Sequence, residues 1–209
     1  MAAMSKRKNI KAELLAAASR QFYQRGYTAA SVKEIVEECG TTAPALYHHF
    51  GSKRGLALAY LEACAADQAQ CWQPVFRHAT LPEIIAAWMA AVRRDTARSD
   101  YLGCPIGNLS AQLNLSAGGD ADQIALRQRL AEIMESWIRG LTGRLGQLKS
   151  EAQIHAEADS QDLATQMLNA YEGSLLLWRT TSRTEIIDAL EHQLRAIGQR
   201  AIDPSVPGL

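Results

Sequence analysis

Apolar residues recur at helical spacing along almost the whole chain, and strand-like alternation is absent. Ile10, Leu14, Leu15, Ala18 and Phe22 define a first helix that Gly26 should end near Arg25. Ser31 opens a second, with Glu34 three residues on as a capping box. Val32, Ile35, Val36 and Cys39 form its inner face, and Gly40 accepts the left-handed conformation of a helix stop. Thr42 is placed to cap a very short third helix through Ala45, Leu46, Tyr47 and His48, with Pro44 in its first turn. Ser52 caps a fourth that carries Leu56, Leu58, Tyr60 and Leu61 and runs past Trp72 towards Pro74.

Beyond Pro82 the units are longer. Ile84, Ile85, Trp88, Met89 and Val92 mark one helix, and a break at YLGCPIGN precedes another with Leu109, Leu113 and Leu115. Ala117 to Asp120 reads as a loop. A long helix then carries Ile124, Leu126, Leu130, Ile133, Met134, Trp137, Ile138, Leu141 and Leu145. Two more run from Asp159 to Thr180 and from Arg183 to Arg200, and residues 203–209 read as a flexible tail. The pattern predicts an all-α fold, with a three-helix domain over residues 1–52 and a larger helical domain over 53–202.

Charge changes the picture, because a formal net charge of zero hides an asymmetry. Through Gly55 there are nine basic and four acidic residues, a surplus of five; the remaining 13 basic and 18 acidic residues give a deficit of five. A cationic first domain suits phosphates. Two short helices joined by a tight turn, with a third in front, is also the layout of a helix-turn-helix reader of the major groove. Lys33, Ser31, Thr42, Tyr47 and Lys53 are the candidates for phosphates, and Thr41, Thr42, Ala43, Ala45 and His48 for base edges. Leu46 and Phe50 should pack inward. Adjacent His48 and His49 diverge by about 100° on a helix and do not share a metal ion. No metal and no cofactor is expected.

Ile10, Ala17, Phe22, Gly26-Tyr27, Thr28 to Ile35, Gly40 and, above all, LYHHFGSK from Leu46 to Lys53 resemble the DNA-binding domain of the tetracycline-repressor (TetR) family of bacterial regulators. Thr41 stands where that family usually has an apolar residue, and Arg54 where it often has Glu. The resemblance implies an all-helical homodimer, a three-helix head on double-stranded operator DNA, a ligand-binding body, and last helices that form a four-helix bundle with their mates. Leu168, Tyr171, Leu175, Trp178, Ile187, Leu190 and Leu194 are the candidate interface residues.

The body must be read directly. Trp72, Trp88, Met89, Met134, Trp137 and Tyr171 are residues that line apolar pockets and equally fill cores. Cys104, at a helix start in the segment YLGCPIGN, should feel the positive end of the helix dipole, which favours the thiolate. With Asn108 it forms a GC-x-x-GN pattern similar to that of TetR-type regulators that sense electrophiles. Cys104 is thus a sensor thiol, a pocket wall or a buried small hydrophobe.

The four cysteines lack C-x-x-C spacing, no apolar h-region opens the chain, and no apolar run approaches the ~20 residues that span a bilayer. A cytoplasmic protein with reduced thiols and no membrane partner is expected. G-x-S-x-G, H-E-x-x-H, Walker and Rossmann motifs are absent, so no enzyme is expected. His155, Glu157 and Asp159 read as a solvated turn. The resulting expectation is a ligand-responsive repressor, released from a palindromic operator by a small apolar or electrophilic effector. The alternatives are a thiol sensor acting through Cys104, an activator, and a helical binding protein without a DNA target.

Overall fold

A computed structural model describes residues 9–113 and 120–203. Leu115, the loop at 117–119 and the tail from 204 onward lie outside the described residues. Among the described residues all regular structure is helical: α1 (Ile10–Ala29), α2 (Val32–Glu38), α3 (Ala43–Phe50), α4 (Lys53–Phe76), α5 (Leu81–Thr96), α6 (Pro105–Gln112), α7 (Ala121–Ser150), α8 (Ser160–Thr181) and α9 (Glu185–Ile202). The all-α expectation holds. Among the described residues no helix is long and apolar enough to cross a membrane.

The chain forms two compact units. One comprises the described residues of Met1–Cys64 and Leu109–Arg129; the other comprises those of Ala65–Asn108 and Leu130–Leu209. They are called the head and the body below.

In the head, Leu14, Ala17, Ile35, Leu46, Leu56 and Leu61 are fully buried. They come from α1 to α4 at helical spacing, so each helix turns one stripe inward. Phe22 centres the cluster, its ring 6.0 Å from that of Tyr27 and 5.6 Å from that of Tyr60. Gly26 does not end α1 as expected. It kinks the helix at φ 80°, ψ 173°, and a further short turn continues to Ala29. A Cβ there would lie 1.6 Å from Gln112 Oε1, so only glycine fits both the backbone and its neighbour.

The helix starts follow the chain chemistry only in part. Ser31 accepts from the Glu34 N–H at 3.5 Å, but the Glu34 carboxylate turns to Arg25 at 2.6 Å instead of back to Ser31. The capping box expected there is therefore half made. Thr42 occupies the N-cap of α3 without a side-chain cap bond, which leaves its hydroxyl outside the helix ladder. A complete capping box occurs instead at Thr80 and Glu83, where sequence reading began the helix two residues late.

In the body, α9 packs against α5 and α8. Arg93 of α5 reaches both Asp188 and Glu191 of α9 at 2.8 Å. The stripe expected to face a second copy is core of the single chain. Tyr171, Leu175, Ile187, Leu190 and Leu194 are all at most 4% exposed, because α8 and α9 turn these residues towards each other and towards α5. Leu168 and Trp178 are half-buried, and Trp178 packs its ring 5.8 Å from that of Tyr101. The apolar residues α8 does expose are Leu176 at 56% and Leu177 at 54%.

Candidate nucleic-acid interface and body cavity

The outer surface of the head is built by α2 and α3. Leu46 is fully buried, so the register of α3 turns Tyr47, His48 and His49 outward, with Tyr47 47% exposed. Thr42 is exposed at the N-terminus of α3, and Thr41, Ala43 and Ala45 are half-buried. Lys33 is exposed and lies 3.9 Å from Glu37, a loose pair that leaves its charge at the surface. Small and hydroxylic residues at the start of a helix, with an exposed phenol one turn on, are chemically matched to phosphates and base edges. Phe50 is only half-buried, with the Lys11 ammonium 5.9 Å from its ring centre.

Two cations near this surface are already engaged. Lys53 donates to the Thr28 carbonyl at 3.4 Å and sits 4.7 Å from the centre of the Tyr27 ring. Its half-burial lowers its pKa, an effect that Asp122 opposes. Arg54 pairs with Asp122 at 3.0 Å. The other Asp122 oxygen accepts from the Tyr27 hydroxyl at 2.9 Å, and burial, then this carboxylate, push the phenol's pKa up. Asp122 in the first turn of α7 therefore holds the end of α1 and the start of α4 together. About two turns further along α7, Arg129 pairs with Glu62 of α4 at 2.5 and 2.9 Å. Sequence reading missed this group, since 68 residues separate Arg54 from Asp122.

The body holds an apolar cavity of about 200 Å³. Trp72, Trp88, Trp137 and Tyr171, all singled out from sequence, line it together with Phe76 and Leu141. The rings form one cluster: Trp72 lies 5.2 Å from Trp88, 5.6 Å from Tyr171 and 6.0 Å from Phe76. Gln68 is the inner polar residue of the wall, accepting from the Trp72 indole N–H at 2.6 Å. Met89 is buried and Met134 half-buried, and neither lines the cavity.

Cys104 stands just before α6, as its position in the motif suggests, and its sulfur accepts from the Gly107 N–H at 3.4 Å. The thiolate expectation fails nonetheless. Burial raises the thiol's pKa well above the ordinary value, the Glu172 carboxyl beside it adds to that, and the Gly107 N–H only partly opposes them. The side chain is 2% exposed. Burial also raises the pKa of Glu172, whose Oε1 is buried without a hydrogen-bond partner. Gly107 explains part of the GC-x-x-GN spacing, because a Cβ there would lie 2.6 Å from Glu172 Oε2. Asn108 explains another part: it donates to the Leu102 carbonyl at 2.6 Å and closes the turn at Gly103, whose φ is 88°. Neither Cys104 nor Asn108 lines the cavity.

No group of three metal-ligating side chains occurs among the described residues. Asp159 caps α8 through the N–H groups of Gln161 and Asp162, and the Glu157 N–H donates to His155 Nδ1 at 3.3 Å, as suits a turn.

Comparison with known proteins agrees with this geometry. A family model described as "Bacterial regulatory proteins, tetR family" matches residues 14–60, and one described as "Tetracyclin repressor-like, C-terminal domain" matches residues 78–196. The HTH-type transcriptional repressor AcnR of Corynebacterium glutamicum is 27% identical over 199 residues, 93% of this chain and 97% of that protein. The HTH-type transcriptional activator FasR of Mycolicibacterium smegmatis is 50% identical over 50 residues, 24% of this chain and 23% of that one. A TetR transcriptional regulator from Chloroflexus aurantiacus superposes with a TM-score of 0.77 at 22% identity, over 91% of this chain and 94% of that one. With both of its units matched, the chain belongs to the TetR family of bacterial transcriptional regulators, and is not an enzyme.

Proposed function

We propose that this regulator is a cytoplasmic homodimeric repressor, released from a palindromic operator when a small apolar effector enters the body cavity. The observation that carries the DNA half of this reading is the outward face of α3, with exposed Thr42, Tyr47 and His48 over a fully buried Leu46. The cavity with its ring cluster carries the effector half. Two recognition helices must reach half-sites a helical turn or more apart, which favours a dimer. The surface best suited to pair two copies is the outer face of α8, where Leu176 and Leu177 are exposed and Ala170 and Gly173 permit close approach.

Release is a population shift, no larger than the effector's preference for the released form. Helices α4 and α7 are suited to carry it. Each contributes cavity residues, Trp72 and Trp137, and each contributes ties within the head, Arg54 with Asp122 and Glu62 with Arg129. Sensing of electrophiles through Cys104 is not favoured, since a buried thiol with a raised pKa is a poor nucleophile. The chain resembles a named repressor over 199 residues and a named activator over 50, so a reporter assay decides the sign of regulation.

The test is a gel shift of DNA flanking the chain's own gene. Binding that weakens steeply with salt supports the reading. Tyr47→Ala should weaken it at least tenfold and leave ligand binding to the body unchanged. Full-strength DNA binding by Tyr47→Ala would overturn the assignment of α3.

A further inference from the structure

The cavity's walls restrict what it takes. Among the described residues, five aromatic side chains line it, and no Asp, Glu, Lys, Arg or His does. Its one ionisable side chain, Tyr171, is held neutral, because burial pushes its pKa well up. An ion placed here would give up its hydration with no opposite charge in the wall. Size sets a second limit. An apolar cavity of roughly 150 Å³ holds benzene, so about 200 Å³ takes one ring with a short substituent.

Gln68 sets a third limit. Its Oε1 is engaged by the Trp72 indole N–H at 2.6 Å, and this bond fixes which way the amide points. Its Nε2 has Cys104 Sγ as its described partner, 4.0 Å away. Sulfur is a weak acceptor, and an amide nitrogen carries two hydrogens. The cavity wall thus presents an underused donor in otherwise apolar surroundings. Of the other polar wall groups, Ser136 donates its hydroxyl to the Ile133 carbonyl and Gln73 is exposed. The Trp88 indole N–H is buried without a hydrogen-bond partner among the described residues, and is the second donor from which Gln68→Leu must distinguish the amide.

We propose that the body cavity takes an uncharged, single-ring aromatic compound bearing one acceptor oxygen, and that Gln68 is the residue that reads the oxygen. The proposal rests on the reading of the body as the effector-binding half. Cation binding by the rings is the competing chemistry, since aromatic faces attract ammonium groups. It is disfavoured because the inner rings cover one another, Trp72 stacked on Phe76 at 6.0 Å and meeting Trp88 and Tyr171 edge-on at 5.2 and 5.6 Å.

Isothermal titration calorimetry on the full chain tests this with four probes of matched size: acetophenone, ethylbenzene, benzoate and phenyltrimethylammonium. Acetophenone should bind saturably, ethylbenzene roughly tenfold more weakly for want of one hydrogen bond, and the two ions not measurably. Gln68→Leu should reduce acetophenone to the affinity of ethylbenzene and leave ethylbenzene unchanged. Trp137→Leu, on a half-exposed wall residue, should weaken both neutral probes alike. The proposal is overturned if either ion binds as tightly as acetophenone. It is equally overturned if acetophenone and ethylbenzene bind alike, if the preference survives Gln68→Leu, or if none of the four binds. A gel shift with the same probes separates the two readings. Acetophenone that binds with the stated preference but leaves DNA binding unchanged supports the ligand class and counts against the effector role.

Discussion

The head and the body use polar groups in opposite ways. In the head they stay near water and pair across helices: Arg54 with Asp122, Glu62 with Arg129, Arg25 with Glu34. In the body the distinctive ones are turned inside, where burial disfavours their charged forms. Cys104, Glu172 and Tyr171 share an interior where burial raises the pKa of all three. A surface that meets a polyanion must keep its charges solvated and exchangeable. An interior that holds an uncharged ligand must keep charge out, and burial there pushes a carboxyl's pKa up.

This contrast predicts where substitutions hurt most. Trp88, 1% exposed at the centre of the ring cluster, should cost about 3–5 kcal/mol when cut to alanine, measured by denaturant unfolding. Leu46→Ala, at the centre of the head, should cost about 2–5 kcal/mol and also remove DNA binding. If Leu46→Ala unfolds the chain no more readily than a surface change does, the head is not the packed unit described above.

Gly26→Ala comes next. It meets a positive φ and the Gln112 side chain together, and roughly 1–3 kcal/mol should be lost. Gln112→Ala should recover part of that loss, since it clears the clash and leaves the backbone strain. Full recovery would place all of the cost on the clash.

The body's interior predicts a pH dependence of definite sign. A carboxyl whose pKa is higher folded than unfolded binds its proton more tightly when folded, so its contribution is complete below the ordinary carboxylate range. That contribution is lost as pH rises through the folded pKa of Glu172. Unfolding midpoints should therefore fall with rising pH over that interval, and Glu172→Gln should flatten the fall. A Glu172→Gln variant with an unchanged slope would mean that folding does not raise the carboxyl's pKa.

The smallest effects belong to the head's surface. Tyr27→Phe removes a hydrogen bond to a half-exposed carboxylate and should cost about 1 kcal/mol. Arg54→Ala should cost under about 1 kcal/mol in stability, because both partners are about two-fifths exposed. A larger effect of either on DNA affinity than on stability would mark Asp122 as a control point for the head.

The legibility of the sequence follows the same division. Head chemistry lies within short stretches, so helical spacing and turn residues from Ser31 to Lys53 were enough to place α2, α3 and the start of α4. Errors there concern second partners: Glu34 turned to Arg25, and Lys53 to Thr28 and Tyr27, because neighbours in space competed with neighbours in sequence. In the body, the aromatic residues were recognisable by type, and four of them do line one cavity. Of the three readings of Cys104, burial fits the small hydrophobe; the thiolate expectation fails because a helix dipole can be read locally, whereas Glu172 arrives from 68 residues away. Five of the seven residues expected at an interface on α8 and α9 pack within the single chain, for a related reason. An apolar face looks the same in sequence whether it meets another helix of its own chain or a second copy.

The central claim is that the head's outer face meets DNA phosphates and the body controls the encounter. The most direct measurement is DNA affinity as a function of salt, with the chain's own flanking DNA and the Tyr47→Ala variant alongside. The account predicts log affinity falling linearly with log salt, by about 0.9 for each phosphate contacted, with weaker binding throughout for Tyr47→Ala. Binding that ignores salt, or that Tyr47→Ala leaves unchanged, would contradict it.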